Sequence, residues 1–333
     1  MTKRSAADFA VFKSPEFVSG YKSMATLQPL NQTDTHGLFL QNKDIDVCKW
    51  TAKLSDFEKG SVIFDYEHTF GSNKTPDEGI MLIKPKLQIL WRSPLMVQER
   101  FGKGSGLNQI IGSFNDPSTK ELWDTDKAKA DADPKYDRMY QSRTLYLVMV
   151  LKKDRTRAHE LPIVLTTKGL AAVQISQNLK HFEELMGYTM DKFTGAAVPQ
   201  VWNEQFFSTT VWQPTFAKKR AGERRNEICG VESCEAPDYS DEEAALQSID
   251  AMSIPTKDRE STWKMMIDYE GFIAMHSQQD AGRLGGAYGI KEGVEILPAA
   301  RATDQSVEGA IDTTATSGRD SLGADTKLWF HVV

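Results

Sequence analysis

The sequence predicts an α+β fold, mainly β, in which antiparallel strands curl into a partly closed barrel and one amphipathic helix packs on them. Three observations carry that reading. Thr144 to Leu151 is an unbroken apolar run of strand length, which predicts a strand buried on both faces. A charged turn, 152–160, separates it from a second short run, Leu161 to Thr167. After Lys168-Gly169 the period changes. Ile175, Leu179, Phe182 and Met186 recur at spacings of four, three and four, one stripe of a helix over 170–186. The third observation is a clean alternation from Val62 to Phe70, which puts Val62, Phe64, Tyr66, His68 and Phe70 on one strand face.

Taken in order, residues 1–22 read as a polar arm whose Phe9, Phe12, Phe17 and Tyr21 lay rings on the core. Ser14-Pro15 biases that arm away from helix. Residues 24–30 and 37–41 are short strands split by the polar turn Asn31 to Asp34, and 43–53 is a short helix or loop. A turn region, 71–79, follows the alternating strand. Ile80 to Ile83 and Leu87 to Trp91 are strand segments interrupted by Pro85, which suits an edge or a bulge. The glycine-rich 102–106 and the polar 115–137 read as a long excursion. Val211 to Phe216 is a last short strand, stopped or bulged at Pro214. The strand pattern therefore gives a core over 23–216, of OB type.

Composition changes at Ala217. The basic AKKRAGERR and the acidic 232–243 read as a charged linker over 217–262, with a capped helix start at Ser240 to Glu243. A small appendage, 263–297, follows. The Ala/Thr/Ser/Gly-rich 298–333 reads as a flexible tail with an apolar end, where Trp329 and Phe330 are expected to bind a protein partner.

The 333 residues carry a net charge of −6, which excludes a uniformly basic nucleic-acid coat but not a local basic groove. Three cysteines, Cys48, Cys229 and Cys234, are too scattered for a disulfide framework and predict a reducing, cytoplasmic setting. The N-terminus lacks the apolar core of a signal peptide, and no apolar run approaches the roughly 20 residues of a membrane span, so a soluble protein is expected.

Candidate chemistry thins quickly. Cys229-x4-Cys234 has no nearby third or fourth ligand for zinc. There is no G-x-S-x-G elbow, and GKGSG at 102–106 matches no phosphate-loop pattern. Asp65, Glu67, Glu78 and Lys84 resemble the acid–acid–lysine sets of metal-dependent nucleases, which makes a nuclease the third reading. Otherwise no catalytic residue, metal or cofactor is expected. The remaining signal is aromatic residues interleaved with basic ones on strands: Tyr66, Lys84, Lys86, Trp91, Arg92, Arg100, Tyr140 and Arg143. Rings that stack bases beside Lys/Arg that track phosphates predict sequence-tolerant binding of single-stranded nucleic acid, DNA first. The competing reading places these rings, Phe64 and Trp91 above all, on the core face. The alternative function is a structural or adaptor subunit of a larger phage- or plasmid-type assembly, with a homo-oligomer among its expected forms, and the acidic net charge favours it.

Two blocks, 14–41 (SPEFVSGYKSMATLQPLNQ…GLFLQ) and 62–100 (VIFDYEHTFGSNKTPDEGIMLIKPKLQILWRSPLMVQER), resemble an uncharacterised domain family of bacterial, plasmid-borne and phage-like proteins. The pattern VLKKD…LPIVLTTKG…LKHF continues the resemblance, which covers residues 10–216 and implies no activity. That last block is also similar to small phage-type single-strand-binding proteins, in which an apolar strand pair precedes Lys-Gly and a helix.

Overall fold

A computed structural model describes residues 24–273, apart from 32–33, 71–74, 101–109, 134 and 222–225. The N-terminal arm, the tail, Trp329 and Phe330 lie outside the described residues, as do most of 263–297. Nine strands make one mixed sheet: β1 (Ala25–Pro29), β2 (Leu38–Gln41), β3 (Val62–His68), β4 (Asp77–Leu82), β5 (Lys86–Arg92), β6 (Met96–Glu99), β7 (Ile110–Ser113), β8 (Tyr140–Leu151) and β9 (Ile163–Lys168). Their order is β3-β4-β2-β1-β9-β8-β6-β7, and β5 shares with β6 the edge of β8 away from β9.

The apolar run predicted to be buried on both faces is the twelve-residue β8 at the centre of this sheet. Tyr146, Val148 and Val150 enter one core cluster, while Leu145, Leu147, Met149 and Leu151 enter another across the sheet. Opposite β8, the break between β5 and β6 falls at Ser93-Pro94. Proline has no N–H to give the ladder, and Ser93 repairs the gap. Its N–H donates to the Leu145 carbonyl at 2.8 Å, and its hydroxyl accepts from the Leu145 N–H at 2.9 Å.

Two expectations are corrected here. The sheet is not antiparallel throughout, because β1 pairs with β9 in parallel. On either side of that pair the strands alternate in direction, β4, β2 and β1 on one side and β9, β8 and β5 on the other. Parallel β1 and β9 mean that β4 and β5 run in the same sense through 83–85, so the link does not reverse the chain. Nor do the alternating residues of β3 share one face. Residues 64 and 65 together oppose Ile80, and Asp65 takes a left-handed φ of 54°. This bulge leaves Val62 and Phe64 on the face of the larger core and turns Tyr66 and Phe70 to the other. Among the described strands no hydrogen-bonded pairing closes a barrel, and the fold stands as mainly β with several helices.

Among the described residues six helices accompany the sheet: α1 (Asn42–Cys48), α2 (Pro117–Ala132), α3 (Gly169–Thr194), α4 (Glu204–Phe207), α5 (Glu242–Ala251) and α6 (Arg259–Asp268). The predicted helix over 170–186 is α3, extended to Thr194 and ended by Gly195 at φ 65°, a conformation cheap only for glycine. Its stripe Ile175, Leu179, Phe182 and Met186 is buried as expected. The polar excursion 115–137 contains α2, which the sequence reading missed.

Residues 217–262 are not a linker. β10 (Pro214–Ala221) and β11 (Asn226–Cys234) form an antiparallel hairpin against α3. Phe216, Ile228, Cys229 and Val231 sit in the larger core cluster. The Gln174 amide of α3 holds Val231 by both backbone groups, donating to its carbonyl at 2.9 Å and accepting from its N–H at 2.8 Å. The expected helix start is real: the Asp241 carboxylate caps α5 by accepting from the Ala244 N–H. Across the sheet, Ile254, Met266, Tyr269 and Phe272 cover the second face of β8, in the same compact unit as the strands.

Candidate nucleic-acid interface

Three turns, remote in sequence, meet at one end of the sheet. They are 53–61, which contains a short 3-10 turn, the link 83–86, and 152–157 beyond β8. The N–H groups of Ile83 and Lys84 both donate to the Ser61 carbonyl, at 2.8 and 3.1 Å. The Lys86 ammonium reaches Glu58 at 3.3 Å and the Lys153 carbonyl at 3.1 Å. Lys153 in turn donates through its N–H to the Asp56 carbonyl and through its ammonium to the Ser55 carbonyl. The three turns carry Lys53, Lys59, Lys84, Lys86, Lys152 and Lys153, together with the acids Asp56, Glu58 and Asp154. Hydrogen bonds from Thr156 hold Asp154 below the usual carboxylate range. Arg155 and Arg157 of the same turn face elsewhere, binding the Asp250 and Ser253 carbonyls and the Thr262 hydroxyl.

An aromatic shelf adjoins this basic end. Buried Phe39 lies edge-on to Tyr66 and His68 with centroids 6.0 and 6.2 Å away, and Phe70 is 6.0 Å away. Tyr66, His68 and Phe70 are half-buried. Ile83 packs on the same cluster and immediately precedes Lys84, so the shelf and the basic end are continuous. Tyr66 lies opposite Gly79, five residues before Lys84, or about 17 Å along the strand. Burial depresses the His68 pKa, which favours its neutral ring. Trp50 offers no comparable shelf, since Phe57 and His159 stack on it at 6.0 and 5.6 Å.

The structure brings Tyr66, Lys84 and Lys86 to this region but not the other five sequence-derived residues. Trp91 packs in the second core cluster and donates its indole N–H to the Met266 carbonyl at 2.8 Å. Arg92 is ion-paired with Glu183 of α3 at 2.7 Å. Arg100 is exposed beside Asp137 at 4.0 Å, and half-buried Tyr140 donates its N–H to Asp126. Arg143 is buried, 4% exposed. Missed were Lys53, Lys59, Lys152 and Lys153, along with Phe39, His68 and Phe70 as one cluster. The charged turn at 152–160 hinted at Lys152 and Lys153, and the alternation over 62–70 at His68 and Phe70.

Arg92 belongs instead to a cleft of about 270 Å³ between α3 and the 199–207 segment, with Glu183, Tyr188, Asp191, Trp202 and Phe207 in its lining. Asp191 there accepts from the Trp202 indole at 3.1 Å. Its acids suit a phosphate poorly.

The acid–acid–lysine set does not assemble. Glu67 and Glu78 are directly opposed across β3 and β4, while Lys84 lies six residues further on, roughly 20 Å away. Among the described residues no three metal-ligating side chains gather. None of the described helices is long and apolar enough to cross a membrane. Compared with known proteins, residues 22–272 match the family described as a domain of unknown function, DUF5895. No curated protein and no solved structure matches the chain.

Proposed function

The chain belongs to the DUF5895 family, whose description carries no activity, and we propose from its own residues that it binds single-stranded nucleic acid with little sequence preference. One observation carries this: in a chain of net charge −6, three separate turns gather six lysines at one end of the sheet, beside half-buried rings. Lysine ammoniums would take successive phosphates, and the Tyr66, His68 and Phe70 shelf would stack unpaired bases. Stacking and phosphate contacts carry hardly any base identity, so tolerance of sequence follows.

A partly closed barrel fits the same reading. β4 and β5 are consecutive and run in the same sense, one pairing with β2 and the other with β8, so the path β4-β2-β1-β9-β8-β5 returns on itself. Among the paired neighbours on that path only β2 with β1 and β9 with β8 are consecutive in sequence, while β1 lies beside β9, so the likeness to an OB barrel rests on partial closure.

The test is fluorescence anisotropy with a mixed-sequence oligonucleotide across a salt series. Lys59→Ala or Lys84→Ala should each flatten the log–log salt dependence by about 0.7, one phosphate contact on a single strand. Tyr66→Ala should weaken binding by about 1–3 kcal/mol at every salt concentration. No binding by the wild type at low salt would sink the reading. The adaptor reading would then lead, favoured by the α3 cleft, where Tyr188 is 52% exposed. Three free cysteines fit a cytoplasmic setting for either function.

A further inference from the structure

We propose that the β10–β11 hairpin is a second phosphate-contacting arm, so that a bound strand continues from the three turns onto this ribbon. The inference rests on the nucleic-acid reading above and extends it to a part of the chain that reading does not use. Its first support is position. The Phe216 N–H donates to the Ile83 carbonyl at 2.9 Å, so β10 leaves the core beside Lys84. Further along, the Cys229 N–H donates to the Asn31 side chain at 2.6 Å, and its thiol lies 3.4 Å from the Gly37 carbonyl. Gly37 precedes Leu38, which pairs with Leu82 at the end of β4. The hairpin is thus fastened at the same end of the sheet as the lysine-bearing turns.

The second support is charge. β10 carries Lys218, Lys219 and Arg220 in succession, and the facing residues of β11, Cys229, Ile228 and Glu227, supply a single acid. Side chains of Lys218 and Arg220 are 52% and 66% exposed. The Glu227 carboxylate lies 2.6 Å from the Lys218 ammonium and 3.6 Å from the Arg220 guanidinium, so one anion is shared between two cations. The hydrogen bond from Lys218, with the charge of both neighbours, keeps the Glu227 carboxyl below its usual range. An arriving phosphate would compete with that carboxylate for cations already aimed outward.

The third support is rigidity. The hairpin root is buried through Phe216, Ile228 and Val231 and gripped by Gln174, so the arm is ordered before it meets a ligand. A preorganised contact loses less entropy on binding than a loop that must first be fixed.

Two variants of the full chain, titrated as above, should move in opposite directions. Lys218→Ala combined with Arg220→Ala removes two contacts and should flatten the salt dependence by about 1.4. Glu227→Gln releases cations from their internal partner and should steepen it by about 0.7, with tighter binding at low salt. Thermal melts of both variants, expected at the wild-type temperature, separate a lost contact from a lost fold. Opposite shifts support the arm. Wild-type binding with both variants on the wild-type line overturns the arm and leaves the three-turn interface standing. Absence of wild-type binding overturns both. Polyglutamate competing as well as the oligonucleotide, charge for charge, would overturn the phosphate assignment and point to an acidic protein partner.

Discussion

His159 is enclosed, and its two hydrogen bonds demand a neutral ring. Nε2 accepts from the Val150 N–H at 2.8 Å, so the proton sits on Nδ1, which donates to the Leu161 carbonyl at 2.7 Å. Burial, aided by the nearby charge of Arg157, pushes its pKa down to about 4. The unfolded chain therefore takes up a proton between pH 6.5 and 4 that the folded chain refuses. This contribution to stability is fully present above pH 6.5 and is lost progressively as the pH falls, by about 2 kcal/mol at pH 5. Urea midpoints at pH 7 and pH 5 check it: the wild type should lose more than His159→Gln, which has no ring to protonate. Equal losses would place the acid sensitivity in other groups. Trp50 stacks on this ring and Phe57 of the 53–61 turn stacks on Trp50, which joins His159 to the foundation of the proposed interface.

What the sequence disclosed about elements depended on whether an element's inner face is apolar. α3 was legible because Ile175, Leu179, Phe182 and Met186 form one apolar stripe, and β8 because it is apolar on both faces. Phe182→Ala should accordingly cost about 3–5 kcal/mol in chemical denaturation, the usual result of emptying a buried phenylalanine site. A variant as stable as the wild type would mean that α3 does not dock through that stripe. α2 was illegible because its buried residues are Thr119 and Asp126. Asp126 works by hydrogen bonds, accepting from the Tyr136 hydroxyl, the Arg138 guanidinium and the N–H groups of Met139 and Tyr140. Its start could still have been read from Asp116-Pro117, a capping acid before a proline in the first turn. The β10–β11 hairpin was hidden differently. The outer half of β10 alternates exposed Lys218 and Arg220 with partly buried Lys219 and Ala221, and the charge of AKKRAGERR outweighed the alternation that continues from Phe216.

At the scale of the whole molecule, the candidate site was the least legible part, since its lysines come from turns remote in sequence that only the fold brings together. Lys84 and Lys86 were visible because they flank a strand, whereas Lys53, Lys59, Lys152 and Lys153 looked like ordinary solvated turns. The boundary placed at residue 216 failed for a related reason: the central strands need cover that arrives late in the chain. Ile228, Cys229 and Val231 close one face, and Ile254, Met266, Tyr269 and Phe272 close the other. At about 1.5–3 kcal/mol for each large buried side chain, that cover is worth on the order of 10–20 kcal/mol. The net stability of a typical domain is about 5–15 kcal/mol. A chain ending at Phe216 should therefore lack a cooperative thermal transition and bind a hydrophobic dye, while the full chain melts its strands and the 217–273 segment in one step. Calorimetry of both chains, with hydrogen exchange on the full one, decides the matter. A sharp transition in the shortened chain would show that the strands form a self-sufficient core, and the hairpin would then be a separable attachment that can be lost without loss of the three-turn interface.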